Sequence, residues 1–303
     1  MPMCFLVAGT GGFVGRHVVK AIREGSPGSR LIGIGPPPGT DDSLSVRMDA
    51  GSFPLVRDFV GAQRPDVVIN CIGSLGADHA LSLQGNFCTV RMLIRAVSAT
   101  RSGVRYVQLG SAAEYTPLPR PQQTREDSPA DPPSRYGRSK LMATNAVLAA
   151  SERGRLSAVV LRLFNPIGPG MRGETLAGRL SQFLSAGSGV DAKLLVGRLD
   201  AFRDYVDVRD AARAIVCAAT SLNSLSGEII NIARGQALIT RDLVRSLLEL
   251  HQGQPQVVEQ EEGGSSRSGD APWQEADVRK ARKLLNWHAA TPWPDTLRYV
   301  LSS

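Results

Sequence analysis

The chain has 303 residues, 42% of them hydrophobic and 21% charged, which is enough apolar content to bury a core and excludes an intrinsically disordered protein. Its 35 basic and 28 acidic residues leave a formal charge of +7, a balance that favours anionic partners. Blocks of consecutive basic residues are missing and aromatics make up only 5%, so a nucleic-acid arm is excluded and a phosphorylated small molecule suits the charge better.

In chain order, Cys4 to Ala8 reads as a strand that runs directly into Gly9-Thr10-Gly11-Gly12-Phe13-Val14-Gly15 and a helix from Val14 to Glu24. Glycines at 9, 12 and 15 let the backbone turn tightly, approach a pyrophosphate and pack the helix close to the sheet. The helix N-terminus then offers free N–H groups to phosphate. A second strand, Leu31 to Ile34, ends at Gly35-Pro36-Pro37-Pro38, where a dinucleotide site usually carries Asp or Glu for the ribose hydroxyls. Without that carboxylate nothing repels a 2′-phosphate, so the cofactor reading leans slightly to NADP and leaves NAD open. Arg16 and Arg30 are the nearest cations in sequence. Asp49, at the end of a short third strand, and its neighbour Ala50 are placed for the adenine.

Further strands read at Val67 to Ile72, Tyr106 to Leu109 and Val159 to Phe164, with helices at Phe87 to Ala99 and Arg135 to Glu152. Short apolar strands joined by helices predict an α/β fold, a doubly wound parallel sheet of Rossmann type. Ser111 stands just past the strand Tyr106 to Leu109, at a carboxyl end where such sheets place active-site groups. Ser134 can cap the helix that carries Tyr136 and Lys140, and Gly154 stands just beyond its end. Four residues span about one helical turn, so Tyr136 and Lys140 share a face. A neighbouring ammonium favours phenolate and draws a phenol pKa of about 10 toward neutrality. With the Ser111 hydroxyl to orient a carbonyl, the three form a proton-transfer group.

Past Phe164 the stretch Asn165-Pro166-Ile167-Gly168-Pro169-Gly170 is turn-rich. A strand-like Tyr205 to Val208, a helix from Arg209 to about Thr220 and a strand Ile229 to Ile232 follow. The polar stretch Gln252 to Asp270 reads as a loop before a final helix at Val278 to Leu285. This assigns residues 1–164 plus 207–234 to a dinucleotide-binding domain and 165–206 plus 235–303 to a smaller, discontinuous α/β substrate lobe. Cys4, Cys71, Cys88 and Cys217 form no CxxC pair and the histidines are scattered, so no metal site and a reduced compartment are expected. Residues 1–15 lack the pattern of a signal peptide, and a cytoplasmic location is expected.

The glycine turn, Ser111, Tyr136-Gly137-Arg138-Ser139-Lys140, the junction from Arg162 to Gly170 and Arg203-Asp204-Tyr205-Val206-Asp207-Val208-Arg209-Asp210 together resemble the extended short-chain dehydrogenase/reductase family. That family comprises nucleotide-sugar epimerases, dehydratases and reductases, and the resemblance covers nearly the whole chain. Val196-Gly197-Arg198-Leu199-Asp200 and Gly110-Ser111-Ala112-Ala113-Glu114-Tyr115 are most similar to the GDP-4-keto-6-deoxy-mannose reductases within it. The resemblance implies catalytic roles for Ser111, Tyr136 and Lys140, and diphosphate contacts from Asn165, Arg203 and Arg267, with Ser111 and Glu114 also at the substrate. It implies a homodimer built on the helices Phe87 to Ala99 and Arg135 to Glu152.

Departures from the wider family narrow the chemistry. Its sugar dehydratases carry Asp-Glu directly after the hydroxyl residue, whereas Ala112-Ala113 follow Ser111 here. Its double epimerase-reductases use a Cys and a His near the sugar ring, where Ala113 and Asn165 stand. The expectation is an NAD(P)H-dependent ketoreductase acting on a nucleotide-diphosphate 4-keto-6-deoxyhexose. A ketoreductase for an aromatic or polyketide natural-product ketone and a nucleotide-sugar 4-epimerase stay open as alternatives.

Overall fold

A computed structural model of the protein describes residues 2–35, 44–46, 53–74, 83–100, 103–186, 193–251, 256–260 and 271–302. Its main sheet has seven parallel strands: β1 (Cys4–Ala8), β2 (Arg30–Ile34), β3 (Leu44–Val46), β4 (Val67–Asn70), β5 (Arg105–Ser111), β6 (Ser157–Leu163) and, much later in the chain, β11 (Glu228–Ile232). Their spatial order is β11-β6-β5-β4-β1-β2-β3. Alternate residues of each strand enter opposite faces. Phe5 and Val7 of β1 join a core with helices α1 (Phe13–Gly25) and α6 (Val208–Thr220), while Leu6 and Ala8 join another with α2 (Phe53–Gln63), α3 (Thr89–Thr100) and α4 (Arg135–Glu152). Burial on both faces explains why β4 reads Val67-Val68-Ile69 without a polar break.

The strand order reverses between β1 and β4, and the connection after each strand leaves on a different face. The crevice this opens at their carboxyl ends is where a doubly wound sheet takes its ligand. The glycine turn after β1 and the backbone of Cys71 to Ser74 after β4 line it.

A third core lies apart from this sheet and gathers Ile167, Leu180, Leu184, Tyr205, Leu243, Leu247 and Leu297. It is framed by three two-stranded pairings. β7 (Pro166–Ile167) runs parallel to β10 (Val206–Asp207), β8 (Lys193–Val196) parallel to β13 (Gln256–Glu259), and β9 (Phe202–Asp204) antiparallel to β12 (Ala237–Ile239). Helices α5 (Leu176–Ser185), α7 (Thr240–Leu250) and α9 (Trp293–Val300) complete it, and α8 (Arg279–Leu285) returns to the main sheet's core through Ala281 and Leu285.

Three sequence expectations need correction. The polar stretch after residue 252 contains β13, because the β-branched pair Val257-Val258 finds a partner strand in β8. Another helix, α9, follows the one expected to be last; its proline in the first turn needs no helical N–H donor. The strand expected over 205–208 shortens to β10, with β9 a separate strand before it, and Val208 already opens α6, whose N-cap Asp207 accepts the Arg209 N–H at 2.8 Å. Among the described residues no helix is long and apolar enough to cross a membrane.

Candidate active site

Gly9 has φ of +88°, and a Cβ there would come within 3.0 Å of the Ile72 nitrogen, so the turn after β1 needs glycine for both conformation and space. The Gly12 N–H closes the turn on the Gly9 carbonyl at 3.0 Å. A Cβ on Gly15 would overlap that same carbonyl oxygen, so α1 begins as near the turn as a bare backbone permits. Its N-cap is Gly12, with no side-chain cap and no acidic residue in the first turn. The helix's own first turn thus brings no side-chain anion to its positive end, and Gly9, Thr10, Gly11, Gly12, Phe13, Val14 and Gly15 fit a dinucleotide pyrophosphate. Asp49 and Ala50 lie outside the described residues. Arg30 turns away to the Gln63 side chain, whereas Arg16 reaches back to the Gly11 carbonyl at 3.4 Å and is the cation brought to the turn.

Ser111 ends β5. Its Oγ accepts the Ala113 N–H at 3.2 Å and begins a short 3-10 turn, Ala112–Glu114. That turn packs on the start of α4: a Cβ on Gly137 would overlap the Ala113 carbonyl oxygen, so Tyr136, one residue earlier, stands beside the serine turn. Ser134 caps α4 by accepting the Gly137 N–H at 2.9 Å. Lys140 is buried, and its Nζ donates to the Leu109 carbonyl at 2.5 Å. A Cβ on Gly73 would lie 4.0 Å from the same Nζ, so the ammonium stands between the ends of β4 and β5. Burial pushes the neighbouring Cys71 thiol up to about 12 against the pull of this ammonium, which leaves it protonated and no nucleophile.

Glu114, expected at the substrate, is instead fully enclosed. Its Oε1 accepts the Ser111 N–H and its Oε2 accepts Thr144 Oγ1 and Arg162 Nε, each at 2.8 Å. Arg162 is also buried, with its guanidinium carbon 4.2 Å from the Tyr115 ring centroid. Burial alone would lower the guanidinium pKa, but the Glu114 charge and Tyr115 lift it above its ordinary value. The carboxylate therefore has its partners inside the protein and none of its surface on the crevice.

Asn86 escaped the sequence reading. It sits in a π-helical turn, Gln84–Cys88, that leads into α3, and such turns recur at functional sites. Its buried amide donates to Ser139 Oγ at 3.0 Å and to the Ser74 carbonyl at 3.1 Å, and Ser139 in turn donates to the Tyr136 carbonyl at 2.8 Å. The available signal was a polar amide just ahead of an apolar helical pattern.

On the other side of the crevice Asn165 has φ of +34° and its amide donates to the Asp204 carbonyl at 3.0 Å. This brings Asn165 next to Arg203, whose Nη1 donates to the Phe202 carbonyl at 2.8 Å. Arg267 lies outside the described residues. Asp204 is buried and gathers the N–H groups of Arg234, Gly235 and Ala276; burial pushes its carboxyl up to about 7 despite those three donors. A narrow pocket beside the serine turn is walled by Ala112, Ala113, Tyr115, Phe164, Trp273 and Gln274.

The sequence pattern of the NAD dependent epimerase/dehydratase family matches residues 5–233. The chain belongs to that family. A dTDP-6-deoxy-L-talose 4-dehydrogenase (NAD(P)(+)) from Kitasatospora kifunensis is 33% identical over 295 residues, covering 94% of this chain and 91% of the relative. A GDP-6-deoxy-D-mannose reductase from Pseudomonas aeruginosa is 26% identical over 322 residues, covering 100% of this chain and 97% of the relative. Among solved structures, MoeE5 in complex with UDP-glucuronic acid and NAD superposes with a TM-score of 0.85 at 28% identity, over 98% of this chain and 97% of its own.

For a member of this family, chemistry rather than size assigns the site. A roomier hollow of about 350 Å³ lies at the amino end of β11, lined by Arg125, Asp127, Glu228 and Lys280. Two ion pairs line it, Lys280–Glu228 and Arg125–Asp127, a third carboxylate, Glu126, accepts the Asn231 N–H at 2.9 Å, and Ser111, Tyr136 and Lys140 are not part of its lining.

Proposed function

We propose that the protein is an NAD(P)H-dependent ketoreductase whose substrate is a nucleotide-diphosphate 4-keto-6-deoxyhexose. The observation that carries the reading is the Ser111 turn docked on the start of α4 through Gly137, with Lys140 anchored to the strand that bears Ser111. Two relatives support the substrate class, since both their names describe oxidation or reduction of a nucleotide-linked 6-deoxyhexose.

Bound NAD(P)H would supply the hydride to the carbonyl carbon, held by Gly9 to Gly15 and the amino end of α1. Ser111 Oγ uses a lone pair to accept the Ala113 N–H, which leaves its own proton to donate to the ketone oxygen. The Tyr136 phenol gives its proton to that oxygen as the alcohol forms. One helical turn on, the Lys140 ammonium keeps positive charge beside the phenol and stabilises it as it becomes phenolate. Ala112 and Ala113 offer neither acid nor base at the sugar, so the site reduces without dehydrating. Asn165 and Arg203 hold the diphosphate side, assisted by Arg267. Cofactor preference leans to NADPH, since no carboxylate directly follows β2.

The division into a dinucleotide domain of 1–164 plus 207–234 and a lobe of 165–206 plus 235–303 belongs to the same proposal. So do a cytoplasmic location and a homodimer built on α3 and α4, where Met142 on α4 and Cys88 just ahead of α3 are exposed. The direct test is oxidation of NADPH and NADH with dTDP- and GDP-4-keto-6-deoxyhexoses as substrates. Tyr136→Phe should abolish turnover and leave NADPH binding within about twofold. Turnover by that variant at the wild-type rate would overturn the assignment.

A further inference from the structure

The Glu114 side chain touches three elements that carry or lead into the proposed chemistry. Through Oε1 it holds the backbone of Ser111; through Oε2 it holds Thr144, one helical turn beyond Lys140 on α4, and Arg162, three residues before Asn165 on β6. Serine and glutamate form a reciprocal cap: Ser111 Oγ accepts the Ala113 N–H while the Glu114 carboxylate accepts the Ser111 N–H. The space for this is built in. A Cβ on Gly110 would fall 2.7 Å from Glu114 Oε1 and 3.0 Å from Arg162 Cγ, so only glycine lets β5 pass over the pair. From Arg162 the contacts continue outward, by stacking on Tyr115 and by the Tyr115 hydroxyl donating to Asn231 Oδ1 at 2.7 Å.

We propose that Glu114, anchored by Arg162 and Thr144, is a positioning residue that fixes the Ser111 hydroxyl relative to α4 and acts on turnover through Ser111 alone. The reasoning is geometric. A serine at the end of a strand has three staggered rotamers, and only a turn of fixed pitch keeps its Oγ bound to the Ala113 N–H and its proton turned outward. The pitch of this turn is set by the reciprocal cap, and the cap is set by a carboxylate whose other oxygen is tied to α4 and β6. Loosening the carboxylate lets the hydroxyl move away from the ketone without touching the glycine turn or the diphosphate side. Misplacement by about 1 Å at such a group costs up to about 100-fold in rate.

This inference rests on the ketoreductase reading for its kinetic arm and on none of it for its structural arm. In the structural arm, Thr144→Val removes one hydrogen bond to Oε2 while keeping the volume, and amide hydrogen exchange is followed on peptides spanning 109–116. Faster exchange there, with peptides of the glycine turn unchanged, is expected; unchanged exchange at 109–116 overturns the proposal. The kinetic arm uses Thr144→Val and the charge-free pair Glu114→Leu with Arg162→Met, each in the wild-type and Ser111→Ala backgrounds, with a dTDP-4-keto-6-deoxyhexose and NADPH. In the wild-type background kcat should fall about 10- to 100-fold for the pair and less for Thr144→Val, with KM and NADPH affinity within about twofold. In the Ser111→Ala background the same changes should cost less than about threefold, because a residue acting through Ser111 has nothing left to position. Equal losses in both backgrounds, or none in either, overturn the proposal. Should the double replacement fail to fold, Thr144→Val decides both arms. A wild-type protein that reduces no such ketone, yet shows the expected exchange response, sinks the reading of function and leaves the positioning role standing.

Discussion

Lys140 Nζ donates a 2.5 Å hydrogen bond to the carbonyl of Leu109, two residues before Ser111, so the helix that carries the phenol is tied to the strand that carries the hydroxyl. The same carbonyl accepts Gln108 Nε2 at 3.0 Å, and Gln108 Oε1 accepts the Asn70 amide across to β4 at 3.0 Å. The Lys140 amine therefore caps a buried polar relay that spans two strands, and its position is set by the sheet more than by its own long stem.

Replacing Lys140 with Met should remove both the charge beside Tyr136 and the tie to Leu109. We expect kcat to fall by about 100-fold or more, with the residual reduction rate holding to higher pH before it declines, because without the ammonium the phenol is a weaker acid and keeps its proton longer. Lys140→Arg should not rescue it, since a planar fork of donors cannot take the place of a point charge aimed at one carbonyl in a closed slot. Rates of NADPH consumption from pH 6 to 10 check both statements, and an active Arg variant would contradict the second.

Gly15 offers a test of the cofactor turn. An added methyl group meets the Gly9 carbonyl, which is backbone and cannot rotate aside, so α1 must back away from the turn. Gly15→Ala should cost about 1–3 kcal/mol of stability from overpacking and weaken NAD(P)H binding at least about tenfold as the helix N-terminus leaves the phosphates. Calorimetric titration with NADPH and NADH measures the second effect; undiminished affinity in a folded variant would show that the pyrophosphate lies elsewhere.

What the sequence made legible follows from physical scale. The main sheet was readable because parallel strands buried on both faces must be continuous apolar runs, and Cys4 to Ala8 and Val67 to Ile69 are that. The glycine turn and the α4 start were readable because their constraints are local: Gly9 needs positive φ, and Ser134 caps its own helix three residues on. Glu114 was misplaced at the substrate because what buries it comes from α4 and β6, 30 and 48 residues away, and no local pattern announces that. Asn86 went unseen for the same reason, since its partner Ser139 is 53 residues distant. Three expected contacts, Asp49, Ala50 and Arg267, fall outside the described residues.

Asp204 should give the fold a pH dependence of unusual sign for a carboxylate. Its carboxyl, ordinarily near 3.8, is raised to about 7 by burial, so between those values the folded protein holds a proton that the unfolded chain has lost. Its contribution to stability is complete below about pH 4 and declines as pH rises through about 7, by up to roughly 4 kcal/mol. Asp204→Asn keeps an acceptor oxygen but cannot titrate; it should be less stable at low pH, where wild-type Asp204 is neutral, and the gap between the two proteins should shrink as pH rises from 4 to 8. Urea midpoints across that range measure the gap, and a constant difference would mean that the carboxylate stays ionised among its three N–H donors.

The last prediction concerns the residue that brings the serine turn and the phenol together. Gly137 lies in the first turn of α4, and a Cβ there would overlap the Ala113 carbonyl oxygen while also coming within 2.7 Å of Pro132 Cβ. Neither neighbour can yield easily, one being backbone of the Ser111 turn and the other a ring fixed just before the Ser134 cap. Gly137→Ala should therefore push the start of α4 and the serine turn apart, while the glycine turn at residues 9–15 makes none of these contacts and should stay as it is. Turnover should drop about 100-fold at unchanged NADPH affinity, whereas Arg138→Ala, at the exposed next position, should leave both within about twofold. The contrast separates a site assembled by contact between two elements from one in which each residue works from its own element, because only the first makes a glycine with no functional group as important to the rate as the phenol beside it.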